Sequence, residues 1–285
     1  MKHFLTLLLI ISAFGTTNGQ KNIEIPKNEV VQNFVKNLPE NLNKHKLNDL
    51  RTSTDSIAIR IWKTNEILTL KTDGLTKYDF KIFINEGKLP VNEKTYSGEF
   101  PLAFLDSLNS FNIWKLQDEN YRGIDGSYVF FEISTKTNYK ICSFWSPDIN
   151  RSSSCKSAVQ LMTLTNKLIN TKTLRSEFLE NLEPGIYSWG MSTINVDRFL
   201  NKEVAKTDFY SNAENRIRKE LNITDKTSHL SYPRVLINDQ PSRLADLNRY
   251  SERDMVSFDI LNPKNPTTAI YGTSGGFGMV ILKTK

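Results

Sequence analysis

Ser153-Ser-Cys-Lys156 sets a hydroxyl and an amine three residues apart, and Tyr210-Ser-Asn212 adds a phenol two residues from an amide. In acyl transfer a desolvated lysine takes the serine proton, so such a pair must open a buried helix. Here Ser153 lies in a polar serine run just ahead of an apolar helical pattern. No Lys-Thr-Gly follows, and the nearest forms are Lys226-Thr227-Ser228 and Lys283-Thr284-Lys285. Of the histidines, His45 and His229 lie in polar stretches and read as solvated surface groups, which leaves a histidine triad or a zinc site without its parts. The run Gly272-Thr-Ser-Gly-Gly-Phe-Gly278 invites a phosphate-loop reading. Such a loop must lead into a helix N-terminus. This one leads into the apolar strand pattern Met279–Leu282, so it reads as a turn. Asp118, Glu119 and Asp125 miss the alternating spacing of a calcium loop and read as a solvated turn.

Ser153, Lys156 and Tyr210 together resemble the motif set of serine β-lactamases and penicillin-binding enzymes, and a hydrolase built on them is the alternative reading. The preferred one is non-enzymatic, with no cofactor and no metal. The first nineteen residues resemble an export signal: Lys2 and His3 precede the apolar run Leu5–Phe14, and Thr17 and Gly19 place small residues before a cut at Gln20. That run is too short to span a bilayer stably, and none of spanning length follows, so the mature chain is expected without a transmembrane segment. Export permits a disulfide. Cys142 and Cys155 are the only cysteines. Bonded, they would close a loop worth about 3 kcal/mol on a chain-entropy estimate. Unbonded, they are two free thiols, one on a strand and one in a loop. The net charge of +6 is mild. No Arg/Lys stripe is interleaved with aromatics, so nucleic acid is not an expected partner.

The elements that must position these groups follow from periodicity. Val31, Phe34, Val35 and Leu38 recur at helical spacing until Pro39, which predicts a short helix stopped there. Ile57–Trp62, Leu68–Leu70 and Tyr78–Ile84 alternate with period two, with a turn at Asp73-Gly74, and predict an antiparallel meander. Leu102, Leu105, Leu108 and Phe111 switch to helical spacing. Tyr128–Ile133 and Tyr139–Trp145 predict a hairpin. Its adjacent Phe130 and Phe131 require either that both faces be covered or that one aromatic row be exposed. Ala158, Leu161, Met162, Leu168 and Ile169 predict a helix, and Asn212 to Leu221 another, capped by Asn212. The expected class is α+β: an antiparallel sheet with helices on one side, then a small α/β domain. Pro184-Gly185 is the expected join, dividing the chain into 1–19, 20–183 and 184–285.

The last fifty residues are the most informative. Pro233 opens the run Val235-Leu-Ile237, which stops at the turn-prone Asn238-Asp239. Met255–Leu261 is a second strand pattern. Ala269-Ile-Tyr271-Gly272 reads as a helical turn ended by glycine, and Gly278, Val280 and Lys285 belong to a buried closing strand. In this order and spacing the blocks resemble the carboxyl half of the plug domain of TonB-dependent outer-membrane receptors. Asn238-Asp239 departs from that pattern's Asp-Gly, and Asn262 stands where lysine is usual. The resemblance implies a plug-like domain, and a receptor would also need a β-barrel, for which these 285 residues hold no strands. The expectation is an exported, non-enzymatic interaction module at the periplasm or peripheral to the outer membrane. Its expected partner is an outer-membrane or periplasmic protein; a purely structural role in an envelope complex is the other alternative.

Overall fold

The computed structural model describes residues 21–285 except 74, 87, 88 and 102. The expected leader, the glycine of the Asp73-Gly74 turn and Leu102 lie outside the described residues. The chain runs β1 (Asn22–Glu24), α1 (Glu29–Lys44), β2 (Ile57–Trp62), β3 (Glu66–Asp73), β4 (Leu75–Glu86), β5 (Leu89–Phe100), α2 (Ala103–Ser110), β6 (Tyr128–Thr135), β7 (Asn138–Trp145), α3 (Ser153–Ile169) and α4 (Thr171–Glu180). It continues through β8 (Gly185–Trp189), β9 (Ser192–Val196), α5 (Asp208–Glu220), β10 (Arg234–Ile237), β11 (Gln240–Ser242), β12 (Met255–Leu261), α6 (Pro266–Ala269) and β13 (Met279–Thr284). The class is α+β.

The first sheet has the order β1-β7-β6-β2-β3-β4-β8-β9, with β5 also on β4. The expected meander β2 to β5 is antiparallel throughout, and β1 adds a short parallel pair with β7. Period two splits its side chains cleanly. Ile59, Ile61, Leu70, Phe80 and Ile82 enter one core with Leu108 of α2 and Leu161 of α3. Trp62, Ile67 and Phe83 point the other way and meet Leu38 and Leu42 of α1. The helices α2, α3 and α4 therefore share one side, while α1 covers the reverse. This decides the Phe130/Phe131 question: Phe131 is fully buried and Phe130 stacks on Phe34 of α1, centroids 4.1 Å apart.

α1 does not stop at Pro39. Asn28 caps its start by accepting from the Val31 N–H at 2.8 Å, and the helix passes through the proline to Lys44. A proline inside a helix forfeits one hydrogen bond and crowds the preceding turn. Leu38 and Leu42, buried on either side of it, each recover roughly 1.5–3 kcal/mol. α5 likewise begins a turn before the expected Asn212, because the Thr207 hydroxyl accepts from the Tyr210 N–H at 3.1 Å. In α3, Leu168 leaves the expected stripe and is 43% exposed.

The reverse face of the sheet carries a buried polar network. Glu132, with no exposure, accepts from Tyr139 Oη at 2.9 Å and from Trp62 Nε1 at 2.6 Å. Arg60 neutralises it at 3.4 Å and also donates to the Asn48 carbonyl at 2.8 Å. A buried ion is tolerable only when its remaining donors and acceptors are satisfied in this way.

The hairpin β8–β9 was not anticipated. It joins the sheet through Asn85 and Ser188, and Val196 still belongs to the first core. The second core starts at Phe199. The expected join at 184 thus falls just ahead of the hairpin. The second sheet has the order β11-β10-β13-β12, with β10 and β13 parallel and the other pairs antiparallel. Val235, Ile237, Val280 and Leu282 point into a core with Phe209, Ala213 and Ile217 of α5. Among the described residues no helix is long and apolar enough to cross a membrane.

Candidate functional site

Ser153 is the first residue of α3 and is exposed, as is Lys156. Tyr210 is 1% exposed in the second core, and its hydroxyl accepts from the Leu200 N–H at 2.7 Å. Burial pushes that phenol up to about 12. Tyr210 thus lies in a different core from the exposed pair on α3, and no hydrogen bond joins any two of the three side chains. Of the two readings of the cysteines, the unbonded one holds: Cys142 and Cys155 are free thiols, with Cys155 on α3 rather than in a loop. Cys142 Sγ donates to the Leu116 carbonyl at 3.4 Å and Cys155 Sγ to Glu119 Oε2 at 3.0 Å, both buried. Burial raises both thiols, Cys142 to about 12. The acidic group near them is no solvated turn either. Asp118 Oδ1 accepts from Ser143 N at 2.7 Å, Glu119 pairs with Arg151 at 3.1 Å, and of the three only Asp125 is exposed.

The carboxyl-terminal residues do come together. Asn238 and Asp239 have φ of +49° and +64° between β10 and β11. Two successive left-handed residues are what a two-residue hairpin turn needs, and Asn and Asp tolerate them. Asn238 then reaches across to β13: its Nδ2 donates to Thr284 Oγ1 at 2.9 Å and its Oδ1 accepts from the Thr284 N–H at 2.9 Å. Asp239 forms an ion pair with Lys283. Pro233 is buried at the entry to β10, and the Arg234 guanidinium lies 5.5 Å from the Tyr271 ring centroid. α6 is capped by Asn265, which accepts from the Thr267 N–H at 2.9 Å, and Ala269 closes it. Gly272 and Gly278 have φ of +56° and +92°. Val280 is fully buried at the centre of the sheet, between Val235 and Ile260. The Lys285 N–H donates to the Asp254 carbonyl at 3.0 Å.

This scaffold presents apolar groups to solvent. Ile270 is 81% exposed and Phe277 48%, both on the loop between α6 and β13. An open groove of about 450 Å³ runs between the β8–β9 hairpin and the second sheet, lined by Ile186, Asn195, Ser242, Arg243, Asp246 and Arg249. Just past β9, Asp197 is 1% exposed, and its carboxylate accepts from the Arg198 N–H at 2.8 Å and the Leu244 N–H at 2.9 Å. Burial, opposed by those two bonds and by Arg243, pushes Asp197 up to about 6. A second tie joins α4 to the loop before β10: Glu180 accepts from Ser228 Oγ and from the His229 N–H. His229 is therefore a half-buried linker residue rather than a free surface group.

His45 departs further from its expected surface place. It is 4% exposed, 4.2 Å from the Phe83 ring, at the base of a cleft of about 250 Å³ walled by Phe34, Trp62, Tyr128 and Phe130. Burial first, then neighbouring Lys44, pushes it down to about 4. Its polar flanking sequence hides this, because the covering rings come from distant strands. No family model, no curated protein and no solved structure matches the chain.

Proposed function

We propose that this protein is an exported, non-catalytic binding module whose carboxyl-terminal sheet and its loops form the docking surface, for an outer-membrane or periplasmic protein. The reading starts from the resemblance of residues 233–285 to the plug of TonB-dependent receptors, a domain that presents loops to substrate. The observation that carries it is the exposure of Ile270 and Phe277 between α6 and β13, in a segment that turns through two left-handed glycines. Exposed apolar groups that join into one patch rimmed by polar residues mark interaction sites. The groove lined by Arg243 and Arg249 adds polar groups of the kind found at the rim of an interface.

The test is capture from envelope fractions with the wild-type chain and an Ile270→Asp/Phe277→Asp variant, followed by direct binding to the captured protein after its purification. Neither substitution enters the core, so the melting temperature should hold. The reading expects one envelope protein that binds the wild type and loses at least tenfold in affinity for the variant, about 1.4 kcal/mol. Equal capture by both forms would sink it.

A further inference from the structure

α1 does not close over the whole reverse face of the first sheet. Trp62 and Phe130 stand opposite each other on β2 and β6, and Tyr128 lies two residues along β6 on the same face. Phe34 of α1 is stacked on Phe130 at 4.1 Å and set edge-on to Trp62 at 5.5 Å. These rings wall the cleft of about 250 Å³ that has His45 at its base. Phe34, Tyr128 and Phe130 remain only half-buried there. Rings fixed by their neighbours, with surface left open, are ready contacts for another flat apolar group. The volume lies just under the roughly 300–1,000 Å³ of pockets for drug-sized ligands and suits a molecule of one or two rings.

Two polar groups line the same cleft. His45 Nδ1 is buried without a hydrogen-bond partner, and Glu93 Oε2, 3.8 Å away, has none either. Buried polar atoms are nearly always paired, and a group with shifted protonation at the base of a cleft marks a binding-site candidate. Lys44, half-buried, makes no ion pair among the described residues. The neighbouring acids are already matched: Glu93 with Lys81 at 3.2 Å, Glu132 with Arg60 at 3.4 Å, and Glu66 with Arg175 and Lys63. The cleft therefore keeps a positive charge in excess beside its aromatic walls. A cleft of one sign between apolar walls concentrates ligands of the other sign.

We propose that this cleft binds a small aromatic carboxylate, with its rings against Phe34, Tyr128 and Phe130 and its carboxylate toward Lys44. The site lies on the first sheet and is independent of the docking surface on the second. A quaternary ammonium is the rival guest of an aromatic cage, and the unpaired Lys44 disfavours it.

Naphthoate, naphthalene-methanol and naphthyl-trimethylammonium share a ring system and differ in charge, so calorimetric titration of each into the full chain tests the assignment. Naphthoate is expected to bind with a Kd below about 1 mM. The alcohol is expected to bind about fivefold more weakly, and the ammonium more weakly still. Lys44→Gln should erase the preference for naphthoate over the alcohol. Asn41→Trp, which fills the cleft from α1, should abolish binding of all three. Indole N–H resonances of the wild type locate the site: the Trp62 signal should move with naphthoate while those of Trp114, Trp145 and Trp189 stay. That reading decides the site even where a variant fails to fold. Absence of both heat and shift at about 5 mM naphthoate would overturn the proposal. So would equal affinity for the three probes, a preference for the ammonium, movement of another indole with Trp62 still, or an undiminished preference in a folded Lys44→Gln chain.

Discussion

Gly272 and Gly278 share left-handed backbone but differ in the room around them. A Cβ on Gly272 would meet nothing within 4 Å, whereas one on Gly278 would lie 2.7 Å from the Leu261 carbonyl and 3.0 Å from Leu221. Gly272→Ala should therefore cost only the left-handed penalty, about 1 kcal/mol. Gly278→Ala must also displace backbone between β12 and β13, and about 3 kcal/mol is expected. Urea midpoints of the two variants check the order, and a Gly278→Ala protein as stable as Gly272→Ala would disprove the crowding argument. Gly275, read in the sequence only as part of a turn, is more crowded still: its Cβ would meet the Thr268 carbonyl at 2.1 Å. The spacing Gly272 to Gly278 was legible because it precedes an apolar strand. The close approach at Gly275 was not, because α6 folds back over it from outside the run.

Each strand of the second sheet was visible in the chain, but the parallel pairing of β10 with β13 was not. Residues 238–278 separate the two strands, and no local turn sets their register. Asn238 does so instead, by locking the end of β10 to Thr284. Val280 sits at the middle of that arrangement, so Val280→Asp puts a carboxylate where no water reaches it. The second core is expected to unfold, at a cost of several kcal/mol. All four tryptophans, Trp62, Trp114, Trp145 and Trp189, lie in the first half of the fold. Tryptophan emission therefore follows the first core, while hydrogen exchange of residues 233–285 follows the second. Exchange protection like that of the wild type throughout 233–285 would contradict the burial of Val280. α1 teaches the complementary lesson: its stop at Pro39 was a sound local inference, overruled by two leucines that pack on a sheet laid down later in the chain.

At the scale of the molecule, two buried titrating groups pull against each other in acid. Asp197 has its folded value raised to about 6 from 3.8. Its contribution to stability is therefore full below about 3.8 and is lost as pH rises through 6. His45 has its folded value lowered to about 4 from 6.5. Its contribution is full above 6.5 and is lost as pH falls through 4. Between pH 7 and 4.5 the two changes oppose, each by about 2 kcal/mol. Asp197→Asn should thus steepen the loss of stability in acid, and His45→Gln should flatten it. Unfolding free energies measured across that range check both, and curves parallel to the wild type would show that neither group titrates as its surroundings dictate. Asp197 also bridges the end of the first sheet to Leu244 in the second core, so its protonation bears on how firmly the two halves hold together.

Periodicity and turn chemistry alone determined the α+β class, the meander, the β6–β7 hairpin and the strands of the last fifty residues, because each depends on neighbours within a few positions. Tertiary structure decided that α1 covers the reverse face, that β8–β9 extends the first sheet, and that Cys142 and Cys155 stay apart. It also turned His45 from a surface group into a buried one. These outcomes rest on burial by residues far along the chain, and no local pattern encodes what will pack against it from a distance.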